Sequence, residues 1–405
     1  MKVLLINNCH YKRGGADIAY FNTGDLLKKN GHDVLYFSSL NDKNQSTLFD
    51  KYFIHQIDYR NLSLTKKISS IPSFIYNKQA AQILEKQIND FKPDIAHIHL
   101  FMGGITTSIL PVLKKYNIPI IHTVHDYRLI CPAYIMLDGN NKICEECIDK
   151  SYYKCIKRKC SENKISQSSI LALDAYFRKY FIKPIEYIDR FIFVSKFIMN
   201  KHIEFNAEYF PKSEMVYNFI PKFESQKKQN LKGKYLLYYG RLSKEKGITT
   251  LIQAAEKSKL SLKIVGTGPL YDTYSEYQSE YVSFLGYKSG KELWNLVTNS
   301  SFVVVPSEWY ENNPLTIIEA YSLGKPVIGA QIGGIPEIIV DKKTGFLFKS
   351  CDVNSLYEVL LKAIQINDEE YDNMSNYALG FAKSNFSDEI HYKKLISIYN
   401  DVIKG

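Results

Sequence analysis

Residues 235–265 read YLLYYGRLSKEKGITTLIQAAEKSKLSLKIV and contain a strand, a helix and a second strand. The short apolar runs Tyr235–Tyr239 and Leu262–Val265 are typical of strands buried on both faces of a parallel sheet. Between them, apolar residues recur at helical spacing over Ile248–Ser258, after the glycine-bounded turn Gly240–Gly247. This strand–helix–strand unit predicts a doubly wound α/β sheet.

The same alternation continues on both sides of this unit. On the C-terminal side, strands are predicted at Val282–Leu285, Phe302–Val305 and Pro326–Gly329, with helices at about Lys291–Thr298 and Leu315–Leu323. On the N-terminal side, a separate series of strands is predicted at Val3–Asn7, Val34–Phe37, Ile95–Leu100, Ile118–Val124 and Phe191–Val194. Two such Rossmann-like domains imply a cleft between them, and ligands of these sheets sit beyond the carboxyl ends of the strands.

The length of 405 residues is too great for one ordinary domain. We expect an N-terminal domain over 1–218, a second domain over 219–384, and a helix over 385–405 that packs back on the first domain. The polar stretch 224–234 is predicted to be a linker. A chain that is 45% hydrophobic and 23% charged is neither disordered nor collagen-like.

Composition and charge favour a cytoplasmic protein. The first apolar run, Val3–Ile6, is too short for a secretion signal, and the longest charge-free stretch, 95–113, is interrupted by glycines and a proline. The formal net charge of +10 suits an anionic partner such as a membrane surface or a nucleotide. No nucleic-acid-binding consensus is present, so we expect no nucleic-acid partner.

The strongest candidate site is Glu311-Asn312-Asn313-Pro314-Leu315-Thr316-Ile317-Ile318-Glu319, after the strand Phe302–Val305. Proline suits a first helical turn, and the free N–H groups there favour an anion or a sugar hydroxyl. Glu311 and Glu319 can accept hydrogen bonds from hydroxyls at two ends of a long ligand. The alternative is that Glu311 only favours the helix dipole and Glu319 lies on a solvated face.

A second candidate is the turn Gly240–Gly247, in which Arg241 and Lys246 place two cations at a strand end. This composition suits a diphosphate clamp, although the order of a Walker loop is absent and a solvated turn is the alternative. Gly266 and Gly268 follow the next strand, but Tyr271 stands where a dinucleotide fingerprint needs its third glycine.

Two features follow strands of the N-terminal domain. Gly14-Gly15 either lets a phosphate or sugar approach the backbone or forms only a turn. His125-Asp126 follows the strand Ile118–Val124, where histidine suits sugar binding or stabilisation of a transition state, although a lone histidine is more often structural.

Five cysteines cluster in one segment of the chain. In a cytoplasmic chain the spacing of Cys144, Cys147, Cys155 and Cys160, within an insertion of about 131–164, favours a structural zinc site over disulfides, with Cys131 as a substitute ligand.

A basic and aromatic stretch overlaps this segment. Residues 150–183 contain nine Lys or Arg against two acids, with interleaved aromatics. That stretch suits an anionic membrane surface or, equally, a solvated face over ordinary core aromatics.

In this order, the glycine pair, His125-Asp126, the Arg241/Lys246 turn and the Glu311/Glu319 pair resemble the retaining family 4 glycosyltransferases over essentially the whole chain. The resemblance implies the GT-B fold, in which two Rossmann-like domains face each other and the second binds the donor. The stretch from His125 to Pro132, followed by a Cys-rich insertion, is similar to members that assemble capsule, O-antigen and exopolysaccharide.

The resemblance also implies residue roles. Glu319 would bind the nucleotide ribose and Glu311 a hydroxyl of the donor sugar. Arg241 and Lys246 would neutralise the departing diphosphate, and His125 would lie near the sugar ring. Further donor contacts are implied for Gly15, Gly240, Gly266, Asn312, Asn313, Pro314 and Leu315.

The implied reaction moves a hexosyl or N-acetylhexosaminyl group from a nucleotide-diphosphate sugar to a saccharide or lipid-linked acceptor, with retention and without a catalytic metal. Fixed cations would stabilise the leaving group, since the chain has no Asp-x-Asp pair to hold Mg²⁺. The expected location is the cytoplasm or the inner face of the plasma membrane. The alternative function is a non-catalytic nucleotide-sugar-binding subunit or scaffold.

Overall fold

The computed structural model describes residues 1–55, 64–221, 232–277 and 279–404. Contacts divide the chain into one unit of Met1–Val216 with His391–Gly405 and a second unit of Tyr217–Ile390. Most of the predicted linker, 224–231, lies outside the described residues.

Among the described residues, the first unit contains a seven-stranded sheet. Its strands are β1 (Lys2–Cys9), β2 (Asp33–Leu40), β3 (Ile54–His55), β4 (Ile95–Ile98), β5 (Ile120–Val124), β6 (Arg190–Phe193) and β7 (Ser213–Met215). They lie in the order β3-β2-β1-β4-β5-β6-β7, and every pair is parallel. Strands β4 and β5 are buried along their whole length, as apolar strands covered on both faces must be.

The second unit contains a six-stranded parallel sheet. Its strands are β8 (Leu236–Tyr239), β9 (Leu262–Val265), β10 (Val282–Phe284), β11 (Phe302–Val305), β12 (Val327–Ala330) and β13 (Gly345–Phe348). Their order is β10-β9-β8-β11-β12-β13. The chain adds β9 and β10 on one side of β8 and then β11, β12 and β13 on its other side. The loops after β8, β9 and β11 therefore lie close together at the carboxyl edge of the sheet.

Helices connect the strands of both sheets. Those of the first half are α1 (Gly15–Lys29), α2 (Leu64–Ile75), α3 (Lys78–Phe91), α4 (Ile109–Lys115), α5 (Tyr153–Lys157), α6 (Ile165–Tyr180), α7 (Pro184–Tyr187) and α8 (Lys196–Phe205). Those of the second half are α9 (Ile248–Ser258), α10 (Tyr271–Ser275), α11 (Gly290–Thr298), α12 (Leu315–Ser322), α13 (Ile335–Ile338), α14 (Val353–Gln365), α15 (Asp368–Asn385) and α16 (Asp388–Lys404).

Helix α16 returns to the first sheet. Leu395, Ile398 and Tyr399 are buried in the same apolar cluster as Val3 and Leu5 of β1. The Tyr399 hydroxyl also lies 2.6 Å from Nδ1 of His97 in β4. Burial of this apolar face holds the end of the chain against the first unit. No helix in the described part of the chain is both long and apolar enough to cross a bilayer.

Candidate functional site

The loops after β8 and β9 touch each other through glycines. Gly266 has φ +135°, and a Cβ built on it would lie 1.9 Å from the carbonyl oxygen of Gly240. The Gly240 N–H donates to the Val265 carbonyl at 3.0 Å. Only glycine permits this approach of two backbones, so both residues shape the edge of the sheet where the next side chains stand.

Lys246 and Glu311 form an ion pair at this edge. Glu311 is 8% exposed and also accepts a hydrogen bond from the Ser307 hydroxyl at 3.0 Å. Burial raises the pKa of this carboxyl, but the charge and hydrogen bond of Lys246, with help from Trp309 and Ser307, lower it below its ordinary value overall. The buried carboxylate is therefore ionised and neutralised by Lys246.

The backbone of Glu311 is held by a glycine turn after β12. Gly333 has φ +59°, and a Cβ there would lie 2.2 Å from the Glu311 carbonyl oxygen. The N–H of Gly334 donates to that same oxygen at 2.7 Å. A side chain at position 333 would therefore displace the backbone that carries the Glu311 carboxylate.

Glu319 lies half-buried on α12, next to the last residue of β8. The Tyr239 hydroxyl interacts with the Glu319 carboxyl and donates to the Thr316 carbonyl at 2.9 Å. Burial raises the pKa of Glu319 to about 7, and the tyrosine lowers it only in part. Glu319 is thus a carboxyl withdrawn from water beside the end of β8.

Asn313 connects the loop before α12 to the beginning of the second unit. Its Oδ1 accepts from the Asn218 N–H at 2.8 Å, and its carbonyl accepts from Asn218 Nδ2 at 3.0 Å. The Asn313 Nδ2 atom is buried and has no partner among the described residues. Pro314 is the N-cap residue of α12 and Leu315 its first residue, beside Asn312. The first N–H groups of α12, which have no acceptor within the helix, therefore lie at the edge of the sheet.

Arg241 follows Gly240 directly and is exposed. Its carbonyl accepts from the Tyr238 hydroxyl at 2.8 Å, which fixes its backbone. No ion pair within the described ranges involves its guanidinium. Whereas the charge of Lys246 is neutralised by Glu311, the charge of Arg241 is balanced by no carboxylate in the described ranges and is available to an anionic ligand.

The predicted residues Gly15 and His125 belong to the first unit. Gly15 begins α1, and the Gly14 N–H donates to Asp17 at 3.1 Å. His125 is half-buried beyond the end of β5, and its Nε2 lies 2.9 Å from Nδ1 of His99, which follows the neighbouring strand β4. Burial lowers the pKa of His125 to about 3, so the imidazole is neutral at ordinary pH.

The cysteine-rich segment does not fit the predicted zinc ion. Cys131, Cys144, Cys147, Cys155 and Cys160 all line one cavity, and all are free thiols. Within the described ranges, however, no three His, Cys, Asp or Glu side chains are grouped so that they could hold a metal ion. The zinc prediction is therefore unsupported, and the thiols are an apolar-walled cluster next to Ile130 and Phe205.

The basic, aromatic stretch 150–183 divides into a buried and an exposed part. Tyr152 is buried, and its ring meets that of Tyr176 edge-on at 5.2 Å. Tyr180 and Phe181, at the end of α6, are instead 63% and 73% exposed. The ammonium of Lys179 lies 4.9 Å from the Tyr180 ring centroid. Core packing thus explains only part of this composition.

Sequence reasoning overlooked four contributors to these contacts: His99, Asn218, Tyr239 and Gly333. His99 and Tyr239 stand at the carboxyl ends of strands, so the rule that singled out His125 and Arg241 also applies to them. Asn218 and Gly333 gave no signal of this kind because their partners are distant in sequence.

Comparisons with known proteins identify the family of the chain. Residues 13–221 match the family model described as Glycosyltransferase Family 4, and residues 219–380 match Glycosyl transferases group 1. An uncharacterized 42.6 kDa protein in the cps region of Klebsiella pneumoniae is 27% identical over 84% of this chain and 87% of its own. N-acetyl-alpha-D-glucosaminyl L-malate synthase of Bacillus anthracis is 23% identical over 100% of this chain and 98% of its own.

Among solved structures, Anabaena HepE in complex with UDP and glucose superposes with a TM-score of 0.66 at 16% identity, covering 99% of this chain and 100% of its own. This likeness shows a shared fold, the two-domain GT-B architecture. Since the first family model alone spans more than half of the sequence, the chain belongs to glycosyltransferase family 4.

Proposed function

We propose that this protein is a retaining, metal-independent glycosyltransferase that uses a nucleotide-diphosphate sugar to extend a surface polysaccharide. The observation that supports this proposal most is the grouping, around the ends of β8 and β11, of Arg241, Lys246, Glu311 and Glu319. Two cations beside two hydroxyl-binding carboxylates suit a molecule with a diphosphate between a ribose and a sugar. Membership of the family and the UDP and glucose named for HepE support this ligand class.

Each side chain has a part in binding the donor. Glu319 accepts hydrogen bonds from the ribose hydroxyls, and Glu311 accepts one from a hydroxyl of the sugar. Arg241, which has no ion-pair partner in the described ranges, contacts the diphosphate. Lys246 bridges Glu311 and a phosphate oxygen, so that one ammonium serves two anions. The glycines Gly240 and Gly266 and the N–H groups of Asn312, Asn313 and Leu315 approach the phosphates and sugar, with Pro314 shaping the loop between them.

Bond breaking places negative charge on the diphosphate, and stabilising that charge is the main catalytic task. The bond from the anomeric carbon to the diphosphate oxygen breaks as a bond to the acceptor oxygen forms on the same face. The acceptor proton passes to a phosphate oxygen, so no protein nucleophile is required. Arg241 and Lys246 supply the charge that a metal ion supplies in other transferases. Gly15 is proposed to let the acceptor approach, and His125 to contact the sugar ring.

The transferred group is proposed to be a hexosyl or N-acetylhexosaminyl residue, and the acceptor a saccharide or a lipid-linked saccharide. The Klebsiella relative in a cps region supports a role in capsule-type polysaccharide. Exposed Tyr180 and Phe181, next to Lys179, suit adsorption to an anionic bilayer that carries such an acceptor. We therefore propose that the enzyme works in the cytoplasm, at the inner face of the plasma membrane.

The proposal is tested by incubating the purified chain with a panel of nucleotide-diphosphate sugars and saccharide or lipid-linked acceptors. We expect one donor to give product with the donor's anomeric configuration, and the rate to persist in excess EDTA. Inversion of configuration or a strict requirement for Mg²⁺ would contradict the mechanism. Donor binding without transfer or hydrolysis across the panel would favour the non-catalytic subunit instead.

A further inference from the structure

Four histidines meet in the first unit around the ends of β4 and β5. His97 and His99 stack with ring centroids 4.6 Å apart, and His99 stacks on His125 at 5.1 Å with an interplanar angle of 17°. His122, on β5, uses its Nδ1 on the Ile98 carbonyl at 3.1 Å. Because β4 and β5 are parallel neighbours, residues that follow them meet at one edge of the sheet.

Both ring nitrogens of His97 have hydrogen-bond partners. Its Nδ1 pairs with the Tyr399 hydroxyl at 2.6 Å and its Nε2 with the Thr123 hydroxyl at 2.7 Å. Both hydroxyls can donate or accept, so this ring serves as a fixed platform under His99.

His99 differs because only one of its nitrogens has a hydrogen-bond partner within the described part of the chain. The residue is 1% exposed, and its Nδ1 lies 2.9 Å from Nε2 of His125. Its Nε2 is buried without a hydrogen-bond partner among the described residues.

The protonation of the pair follows from this asymmetry. Burial lowers the pKa of both His99 and His125, so each ring is neutral and carries one N–H. One of the two facing nitrogens must therefore donate and the other accept. If His99 accepted at Nδ1, its own proton would stand on the buried Nε2 without an acceptor. Orphaned buried N–H groups are rarer in proteins than orphaned acceptors, so His99 keeps its proton on Nδ1.

We propose that His99 is a positioning residue whose Nδ1–H donates to Nε2 of His125, thereby holding His125 as the tautomer protonated on Nδ1. The inference rests on the proposed function, in which His125 lies near the donor sugar. At Nδ1, His125 can then only donate a hydrogen bond and cannot accept one. Whichever group contacts Nδ1, in the protein or in a ligand, is favoured when it is an acceptor such as an oxygen with lone pairs.

The tautomer can be read directly from the ring nitrogens. Protein labelled with ¹⁵N-histidine is analysed by two-bond ¹⁵N–¹H correlation, with the His125 signals assigned through a His125→Gln variant. We expect a protonated Nδ1 and an unprotonated Nε2 for His125 in the wild-type chain. The opposite assignment, with Nε2 protonated, would overturn the proposal whether or not the protein transfers sugars.

Variants separate positioning from structural support. His99→Phe keeps a stacked ring but removes the donor, so His125 should lose its fixed tautomer and kcat should fall about tenfold, the effect of one hydrogen bond. His99→Asn keeps an amide donor near the Nδ1 position and should restore the tautomer and most of kcat. His202→Phe removes another buried imidazole, on α8, and should change neither quantity.

An unchanged His125 tautomer in His99→Phe, or an equal loss of kcat in all three variants, would contradict the proposal. If His99→Phe does not fold, the wild-type spectrum and the His99→Asn variant still decide the direction of the hydrogen bond. If no transfer is found with any donor, the spectra alone carry the test, and the proposed function fails separately.

Discussion

Lys246 and Glu311 are 65 positions apart in sequence and form an ion pair at the edge of the second sheet. The pair is joined by loop contacts as well, since the Glu308 N–H donates to the Glu245 carbonyl at 2.8 Å. The loop after β8 and the loop after β11 are therefore joined by both an ion pair and a backbone hydrogen bond. A ligand phosphate that approaches Lys246 meets a cation already oriented by a buried carboxylate.

The ion pair should show a strong coupling in a double-mutant cycle. Lys246→Met leaves a buried carboxylate unpaired and should destabilise the chain by about 1–3 kcal/mol. Adding Glu311→Gln removes that charge, so the double variant should lose less than the sum of the single losses. The free energy of unfolding in urea measures this, with Lys244→Met in the same loop as a near-neutral control. Additive losses would contradict the pairing.

Stability should depend on pH through Glu319. Its folded pKa of about 7 lies above the ordinary value of 4.5, so the folded state binds the extra proton and loses stability as pH rises from about 4.5 past 7. Glu319→Gln should consequently raise Tm at pH 8 and leave it unchanged at pH 5. Glu358→Gln, at an exposed position of α14, should be neutral at both. An equal effect of Glu319→Gln at both pH values would show that the carboxyl is not buried.

Gly333 should be intolerant of any side chain. Gly333→Ala places a Cβ 2.2 Å from the Glu311 carbonyl at φ +59°, so we expect a loss of about 1–3 kcal/mol together with weaker donor binding. Gly380→Ala in α15 meets nothing within 4 Å and should be neutral or stabilising by up to about 1 kcal/mol. Thermal unfolding and donor titration of both variants test this. Wild-type donor affinity in Gly333→Ala would show that the turn does not position Glu311.

Membrane adsorption should depend on the exposed aromatics at the end of α6. The double variant Tyr180→Glu with Phe181→Glu should sediment less with vesicles containing anionic lipid, because it loses apolar contact and gains repulsion. Phe210→Glu changes an aromatic that is equally exposed, at 70%, outside the stretch 150–183, and should sediment like the wild type. Equal binding of all three proteins, or none by the wild type, would remove the membrane proposal.

The parts of the fold that follow from the sequence are the central, apolar strands. Val3–Ile6 and Phe302–Val305 are continuous apolar runs because both faces of their sheets are covered, and the structure places β1 and β11 there. The strands β3, β7 and β13 escaped prediction. They are edge strands, and Ser213–Met215 has no apolar run to mark it.

Residues of the candidate site could be predicted where their position directly after a strand marks them. They could not be predicted where a contact between distant parts of the chain brings them together. Arg241 and His125 follow strands, so position in the chain marks them. The contact between Lys246 and Glu311 depends on strand order, in which β8 lies beside β11, and spacing alone does not reveal that order. The zinc prediction took Cys144 and Cys147 as ligands from spacing alone, and the described geometry gives it no support.

The cations at the end of β8 are proposed to hold a nucleoside diphosphate. Calorimetric titration of UDP, GDP and ADP into the wild type, Arg241→Ala and Lys244→Ala tests this binding. We expect one of these nucleotides to bind the wild type at one per chain, Arg241→Ala to weaken that binding about tenfold or more, and Lys244→Ala to leave it unchanged. Absence of binding to the wild type, or equal affinities for all three proteins, would contradict the account.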